Sequence, residues 1–484
     1  MRRTSRSLLS VSYSLRVPRS PHLGMAEEPA RLAVELVLVL TCVALLFRRS
    51  FKPATPPALS ASEVDQLVHE WQPEPLLGHL PSQPSSSPPP PTLTSKAGAR
   101  LTVDGVDALN LATLDFLCMS TRKDVEQNAS DAIATYGVGS CGPRGFYGTS
   151  DVHLQLEREL ADFLGTDNAI VYPYDIATPA SLLSTFARRG DLIVIDEGAS
   201  YPLRSGAQLS RATIMTFRHN DPEDLRAKLA DALSREGRRE RREQRRRYVV
   251  VEGVYANFGD ISPLRDILRE KERHGFRLML DDSIAFGAIS QRGSIGYWDV
   301  DARRIDILCS SMSCSLGSIG GFCAGPSKVV DHQRINASGY VFSASLPPFL
   351  AAAARVSLAV IASCEGEELV KRLQSNAKTL HQALQPEPSE GTHRLEGVPE
   401  APIMHLRICE GYGHDDLNSL VDNIQRALLH ECRVHVGALK HSALDSDGAP
   451  APSIRIAGKA LHKEAELKSA AKAIRGVVQS LVAS

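Results

Sequence analysis

From about residue 100 the chain alternates short, unbroken apolar runs with longer amphipathic stretches. The runs AIVYP (169–173), DLIVID (191–196), TIMTF (213–217), YVVVEGVY (248–255), FRLMLDD (276–282) and DILCSS (306–311) are continuous rather than alternating, and most are β-branched. That pattern predicts strands buried on both faces. Between them, VHLQLERELADFL (152–164) carries apolar residues at 154, 156, 160, 163 and 164, a helical spacing. DPEDLRAKLADALS (221–234) opens with Asp221 as N-cap and Pro222 in the first turn. The alternation predicts an α/β fold with a mostly parallel sheet covered by helices. After about residue 346 the pattern changes to a long helical stretch (346–385), strand candidates PIMHLRI (402–408), VHVGAL (434–439) and SIRIA (453–457), and a final helix (461–482). This predicts a smaller α+β domain.

Before the body, Leu32–Phe47 reads LAVELVLVLTCVALLF, with Glu35 its one charge. Sixteen helical residues span roughly 24 Å. A bilayer core is about 30 Å thick, and that of the endoplasmic reticulum is a few Å thinner. No other apolar element lies close in sequence, so the segment is expected to be a single membrane anchor. Arg48, Arg49 and Lys52 follow it and predict a body facing the cytosol, although Arg16, Arg19 and Arg31 precede it. Residues 1–24 lack Asp and Glu and are rich in Arg and Ser. They read equally as a transit-like leader or as an extension ahead of Met25. Pro73–Pro91 is rich in Pro and Ser and reads as a semi-extended tether. The expected organisation is an extension (1–31), an anchor (32–47), a juxtamembrane linker (48–99), a large domain with an N-terminal arm (100–345) and a small C-terminal domain (346–484).

Composition narrows the function classes. The 484 residues are 43% hydrophobic and carry a net charge of -1, which excludes a wholly disordered chain and makes nucleic acid a poor default partner. Nine cysteines without a C-x-x-C pair argue against a disulfide framework or a zinc site and for free thiols in a reducing compartment. The basic run Gly237–Arg247 (GRRERREQRRR) reads first as a solvated insertion and second as a patch for anionic headgroups.

Gly137-Val-Gly139-Ser-Cys-Gly142 matches G-x-G-x-x-G but follows a helix-like stretch rather than a strand, so the dinucleotide reading fails its context. There is no Walker A, H-E-x-x-H or G-x-S-x-G sequence. Taken alone, the surrounding string is a glycine-rich loop ahead of a helix. Its Arg144, Phe146 and Tyr147 suit an anionic, partly apolar ligand.

The strings YGVGSCGPRGFYGTSDVHLQLE (136–157), VVVEGVYANFGDISPL (249–264), SIGGFCAG (318–325), DHQRINASGYVFSASLPPFLAAAA (331–354) and WQPEPL (71–76) are long and specific. With them the chain resembles the α-oxoamine synthase family, pyridoxal phosphate (PLP) enzymes of fold type I, over roughly residues 60–484. The resemblance implies a seven-stranded, mostly parallel sheet and a site that pairs a Schiff-base lysine with an Asp on the pyridine nitrogen. Active members carry T-x-T-K-S-x-G before a Gly-Gly pair. Here the stretch runs Ser311-Met-Ser-Cys-Ser-Leu-Gly-Ser-Ile-Gly-Gly321, and the lysine position is Cys314. Lys328 lies beyond the Gly-Gly pair and out of register. The D-[ED]-[AS]-H pattern reads Asp281-Asp282-Ser283-Ile284, which keeps the Asp and replaces the His by Ile284. The ring-stacking His position falls on Ser200.

Three losses on an intact scaffold imply a subunit that does not itself bind PLP productively. Asp281 then reads as a locally hydrogen-bonded strand-end carboxylate, a vestige of cofactor binding. The resemblance further implies a heterodimer with a Lys-bearing second subunit that holds PLP covalently and condenses L-serine with palmitoyl-CoA to 3-ketodihydrosphingosine. Residues expected to reach the partner's site are Cys141, Gly142, Arg144, Phe146 and Tyr147 on the glycine loop, with Ser343 and Ser345. Two alternatives stay open: a self-sufficient synthase, and a purely anchoring or regulatory protein.

Overall fold

The computed structural model describes residues 28–47, 59–71, 90–235, 245–386, 393–408, 414–440 and 450–483. They fall into two units, divided at Ser86.

In the first unit a helix runs Glu28–Phe47, and its side chains from Leu32 to Leu45 are exposed. Among the described residues no single helix is long and apolar enough to cross a membrane, and the apolar part of this one spans Leu32–Leu45. A second helix, Ala61–Glu70, starts at a capping box in which Ser60 and Glu63 satisfy each other's backbone N–H groups.

The second unit holds two sheets. The larger is built from β3 (Asn168–Tyr172), β4 (Leu192–Asp196), β5 (Thr213–Phe217), β6 (Arg247–Glu252), β7 (Arg277–Asp281), β8 (Ile307–Ser311) and β9 (Gly321–Gly325). Their order is β3-β9-β8-β7-β6-β4-β5, and β9 alone runs against its neighbours. The mostly parallel sheet is therefore as the apolar runs predict. Alternate residues of one strand feed opposite cores. Val249, Val251, Leu278 and Leu280 pack on one face, and Tyr248, Val250 and Met279 on the other. Burial of each such side chain is worth roughly 1.5–3 kcal/mol, which is why these strands read as unbroken apolar runs.

The smaller sheet is ordered β1-β2-β12-β13-β11-β10, from β1 (Arg100–Val103), β2 (Val106–Leu111), β10 (His393–Glu396), β11 (Ile403–Ile408), β12 (Val434–Leu439) and β13 (Ser453–Ala457). Its strands are antiparallel except where β2 meets β12. The β1–β2 hairpin thus completes this sheet, although its sequence lies in the stretch read with the large domain. The helical stretch 346–385 is two helices, Pro348–Ile361 and Cys364–Leu384, set at 81°. The break falls where Ser363 caps the second helix by accepting the Gly366 N–H.

Candidate functional site

The C-terminal ends of β6, β7 and β8 carry Glu252, Asp281 and Ser311. These ends open into a cavity of about 810 Å³ that also takes side chains from β13 and from the starts of the helices Ala177–Phe186 and Tyr201–Ser210. Ser200, Asp281, Ile284 and Cys314 all line it. Four positions spread over more than 100 residues of sequence are therefore brought together.

Cys314 sits in the turn after β8, 3% exposed. Its carbonyl accepts the Phe116 N–H at 2.9 Å. Burial pushes its thiol up to about 12, so at neutral pH it is neither an amine nor a thiolate. Ile284 belongs to the apolar core. Ser200 is the residue ahead of the helix Tyr201–Ser210, and its N–H donates to Glu252 Oε1 at 2.5 Å.

Asp281 is buried, and its Oδ1 accepts from the Ser283 N–H at 3.0 Å and the Ser283 hydroxyl at 2.5 Å. This is the local hydrogen bonding that the sequence suggests. Burial raises its pKa in spite of these bonds. Glu252 stands in register beside it on β6. Burial, and then the charge of Asp281, push Glu252 up to about 8. Two adjacent carboxylates in a low-dielectric pocket do not both ionise.

Two further lining residues escape the sequence reading. Asp175 follows β3, and its Oδ2 accepts the hydroxyls of Ser311 and Ser313 at 3.2 and 3.1 Å. Arg455, on β13, donates to the Ala112 carbonyl, while its buried Nε has no partner. Burial works against its charge. A guanidinium N–H left open at a cavity suits a carboxylate.

These residues do not fit covalently held PLP. Cys314 cannot form a Schiff base. Among the described residues the one lysine lining the cavity, Lys440, is ion-paired to Asp422 at 2.9 Å. The hydroxyls of Ser311, Ser313 and Ser283 are already turned to Asp175 and Asp281 of the same chain.

The glycine loop lies apart from this cavity, since none of its predicted residues is in the lining. It is tied to the second predicted segment instead. The Ser345 N–H donates to the Gly142 carbonyl at 2.9 Å, and the Ser140 and Ser345 hydroxyls are 3.1 Å apart. Phe146 and Tyr147 are 78% and 71% exposed, and Ser343 is half-buried. Cys141 is exposed with a positive φ of 52°. Gly142 is buried under Tyr147, whose ring would lie 2.2 Å from an added Cβ.

Arg144 corrects the sequence reading. It does not reach outward but is buried, bonded to both Glu157 oxygens at 3.0 and 3.2 Å and to the Thr149 hydroxyl at 3.0 Å. The helix Asp151–Leu164 turns Glu157 into the protein between Leu156 and Leu160, directly under the loop. The anion expected for Arg144 is in its own chain.

The model of class I and II aminotransferases matches residues 106–474. The chain is 39% identical to long chain base biosynthesis protein 1b of Oryza sativa subsp. japonica over 93% of its own length and 92% of the relative. It is 35% identical to serine palmitoyltransferase 1 of Dictyostelium discoideum, over 87% and 88% of the two chains. The chain belongs to the serine palmitoyltransferase 1 family. Among solved structures, serine palmitoyltransferase from S. paucimobilis, with PLP and myriocin bound, superposes with a TM-score of 0.70 at 26% identity, over 81% of this chain and 92% of that one. The α/β fold is thus that of the PLP-dependent class I and II aminotransferases.

Proposed function

We propose that the chain is the lysine-less subunit of serine palmitoyltransferase, in which it supports and completes the active site of a Lys-bearing catalytic subunit 2. That subunit holds PLP covalently and, in the complex, condenses L-serine with palmitoyl-CoA to 3-ketodihydrosphingosine, the entry to sphingolipid synthesis. The observation that carries this reading is Cys314, a buried, protonated thiol lining the cavity where the family resemblance expects the Schiff-base lysine. Ile284 and Ser200 support it from the same walls. The loop around Gly142, pinned to Ser345 and presenting exposed Phe146 and Tyr147, is the surface offered to the partner's site.

The helix Glu28–Phe47 is the proposed single anchor in the endoplasmic reticulum membrane, with the body in the cytosol. Its exposed apolar side chains and the Arg48-Arg49 pair that follows support this.

The deciding experiment is the absorption spectrum of the purified chain with PLP, alone and co-purified with a Lys-bearing subunit, with condensation of serine and palmitoyl-CoA assayed in each sample. The expected result is no Schiff-base band and no turnover from the chain alone, and both from the complex. A band or turnover from the chain alone overturns the proposal.

A further inference from the structure

The strands that end at the candidate site begin at a second cavity, of about 430 Å³. It lies at the starts of β6, β7 and β8, roughly 13 Å along the sheet from Asp281 by strand rise. Arg246, Arg277, Lys328 and His332 line it together with Asp306 and Phe186.

The charges do not balance. Among the described residues Asp306 is the only acid in the lining, and it is already engaged by the Lys271 ammonium at 2.9 Å and the Leu278 N–H at 2.8 Å. Among the described residues no carboxylate pairs with Arg246, Arg277 or Lys328. Arg246 is held in place. Its guanidinium donates to the Phe186 carbonyl at 3.0 Å, and its N–H to Asp191 Oδ1 at 3.0 Å. The helix Ser327–Asn336 opens onto the cavity, with Pro326, Lys328 and Val329 in the wall, so its positive end adds to the same field. The His332 ring, packed 5.4 Å from Phe186, also lines the cavity, with its Nδ1 3.1 Å from the Asn336 amide nitrogen.

The held guanidinium of Arg246, the exposed one of Arg277, an ammonium and a helix N-terminus around one concavity form a polydentate donor set for phosphoryl oxygens, and a single carboxylate would use only part of it. Arg246 also belongs to the described part, Arg245–Arg247, of the basic run Gly237–Arg247, which the candidate site does not use.

We propose that this cavity binds a phosphate group, either of a soluble phosphorylated compound or of a phospholipid head. The test titrates inorganic pyrophosphate into the full chain by calorimetry. In parallel it measures binding to phosphatidylcholine vesicles with and without phosphatidic acid. Each is repeated with the Arg277→Ala/Lys328→Ala variant, whose two side chains are exposed and leave the core untouched. The expected result is salt-sensitive binding, weakened at least about tenfold in the variant, with an unchanged melting midpoint when no anion is present. Pyrophosphate binding identifies a soluble ligand. A gain on phosphatidic acid without pyrophosphate binding identifies a headgroup. Binding of neither probe, or binding that the variant retains in full, overturns the proposal.

Discussion

Arg144 and Glu157 form a buried, two-pronged ion pair beneath the glycine loop, each side chain 3% exposed. Glu157 also accepts the Val171 N–H at 3.0 Å, so the pair ties the loop, the helix Asp151–Leu164 and strand β3 together. Removing Arg144 leaves the buried Glu157 with only its longer ion pair to Arg334, at 3.4 Å. Arg144→Ala is therefore expected to cost about 3 kcal/mol in denaturant unfolding, the low end for breaking a buried pair. Arg144→Met/Glu157→Gln removes both charges and keeps an acceptor for Val171, so it should recover most of that loss. Equal instability of the single and double variants would show that the pair is not the cause. A consequence is that lost partner activity in Arg144→Ala reports folding of the loop, not contact with substrate.

His219 bridges two carboxylates, Asp196 Oδ1 at 2.7 Å and Asp260 Oδ2 at 3.0 Å, and stacks on Phe258. Burial opposes its charge, but the two acids outweigh burial and push it up to about 10. A folded-state pKa above the unfolded one gives stabilisation that is complete below about pH 6.5 and lost as pH rises through about 10. Relative to His219→Gln, the protein should thus be more stable by about 2–4 kcal/mol at pH 6, with the gap closing by pH 10. A gap that stays constant across thermal melts from pH 6 to 10 would mean that the imidazole is neutral.

Legibility in the sequence followed side-chain type more than burial: β5, read as a strand buried on both faces, is a largely exposed edge strand. Strands β4, β6, β7 and β8 are covered on both faces and so announce themselves as apolar runs. Strand β9 reads Gly-Phe-Cys-Ala-Gly, whose small residues carry little strand preference, and it was legible only as part of a family string. The β1–β2 hairpin had a signal that went unused. Asp104-Gly105 between short strands has φ of 48° and 78°, the positive values that such a turn demands.

In the site, Ser200, Asp281, Ile284 and Cys314 could be found because each replaces or keeps a patterned position. Asp175 and Arg455 could not, because their role is set by where the turn after β3 and the middle of β13 lie in space. Glu157 was within reach, since it lies between Leu156 and Leu160 on the buried side of its helix.

Gly148 closes the loop on itself. Its N–H donates to the Pro143 carbonyl at 3.0 Å, and an added Cβ would lie 1.9 Å from the Gly142 oxygen, the same atom that Ser345 holds. No side chain fits there without opening the loop. Gly148→Ala should lower the complex's turnover at least about tenfold while costing the chain about 1–3 kcal/mol in unfolding. Unchanged turnover in a co-purified complex would remove the loop from the partner's site.

Restoring the lysine alone should not restore a cofactor site. A lysine at position 314 would enter a buried pocket near the positive charges of Arg455 and Lys459. It would face Asp175 with its two serine hydroxyls, and Ile284 would still stand where a hydrogen-bonding side chain is needed. Burial and like charge depress an amine's pKa, which helps nucleophilicity, but neither holds a ring or a phosphate in place. Cys314→Lys with PLP is therefore expected to show no stable Schiff-base absorbance, and to lose about 1–3 kcal/mol of stability to overpacking. Cys314→Lys combined with Ile284→His and Ser200→His should move toward one. A strong band from the single variant would mean that Cys314 is the sole barrier and that the other two losses carry no weight.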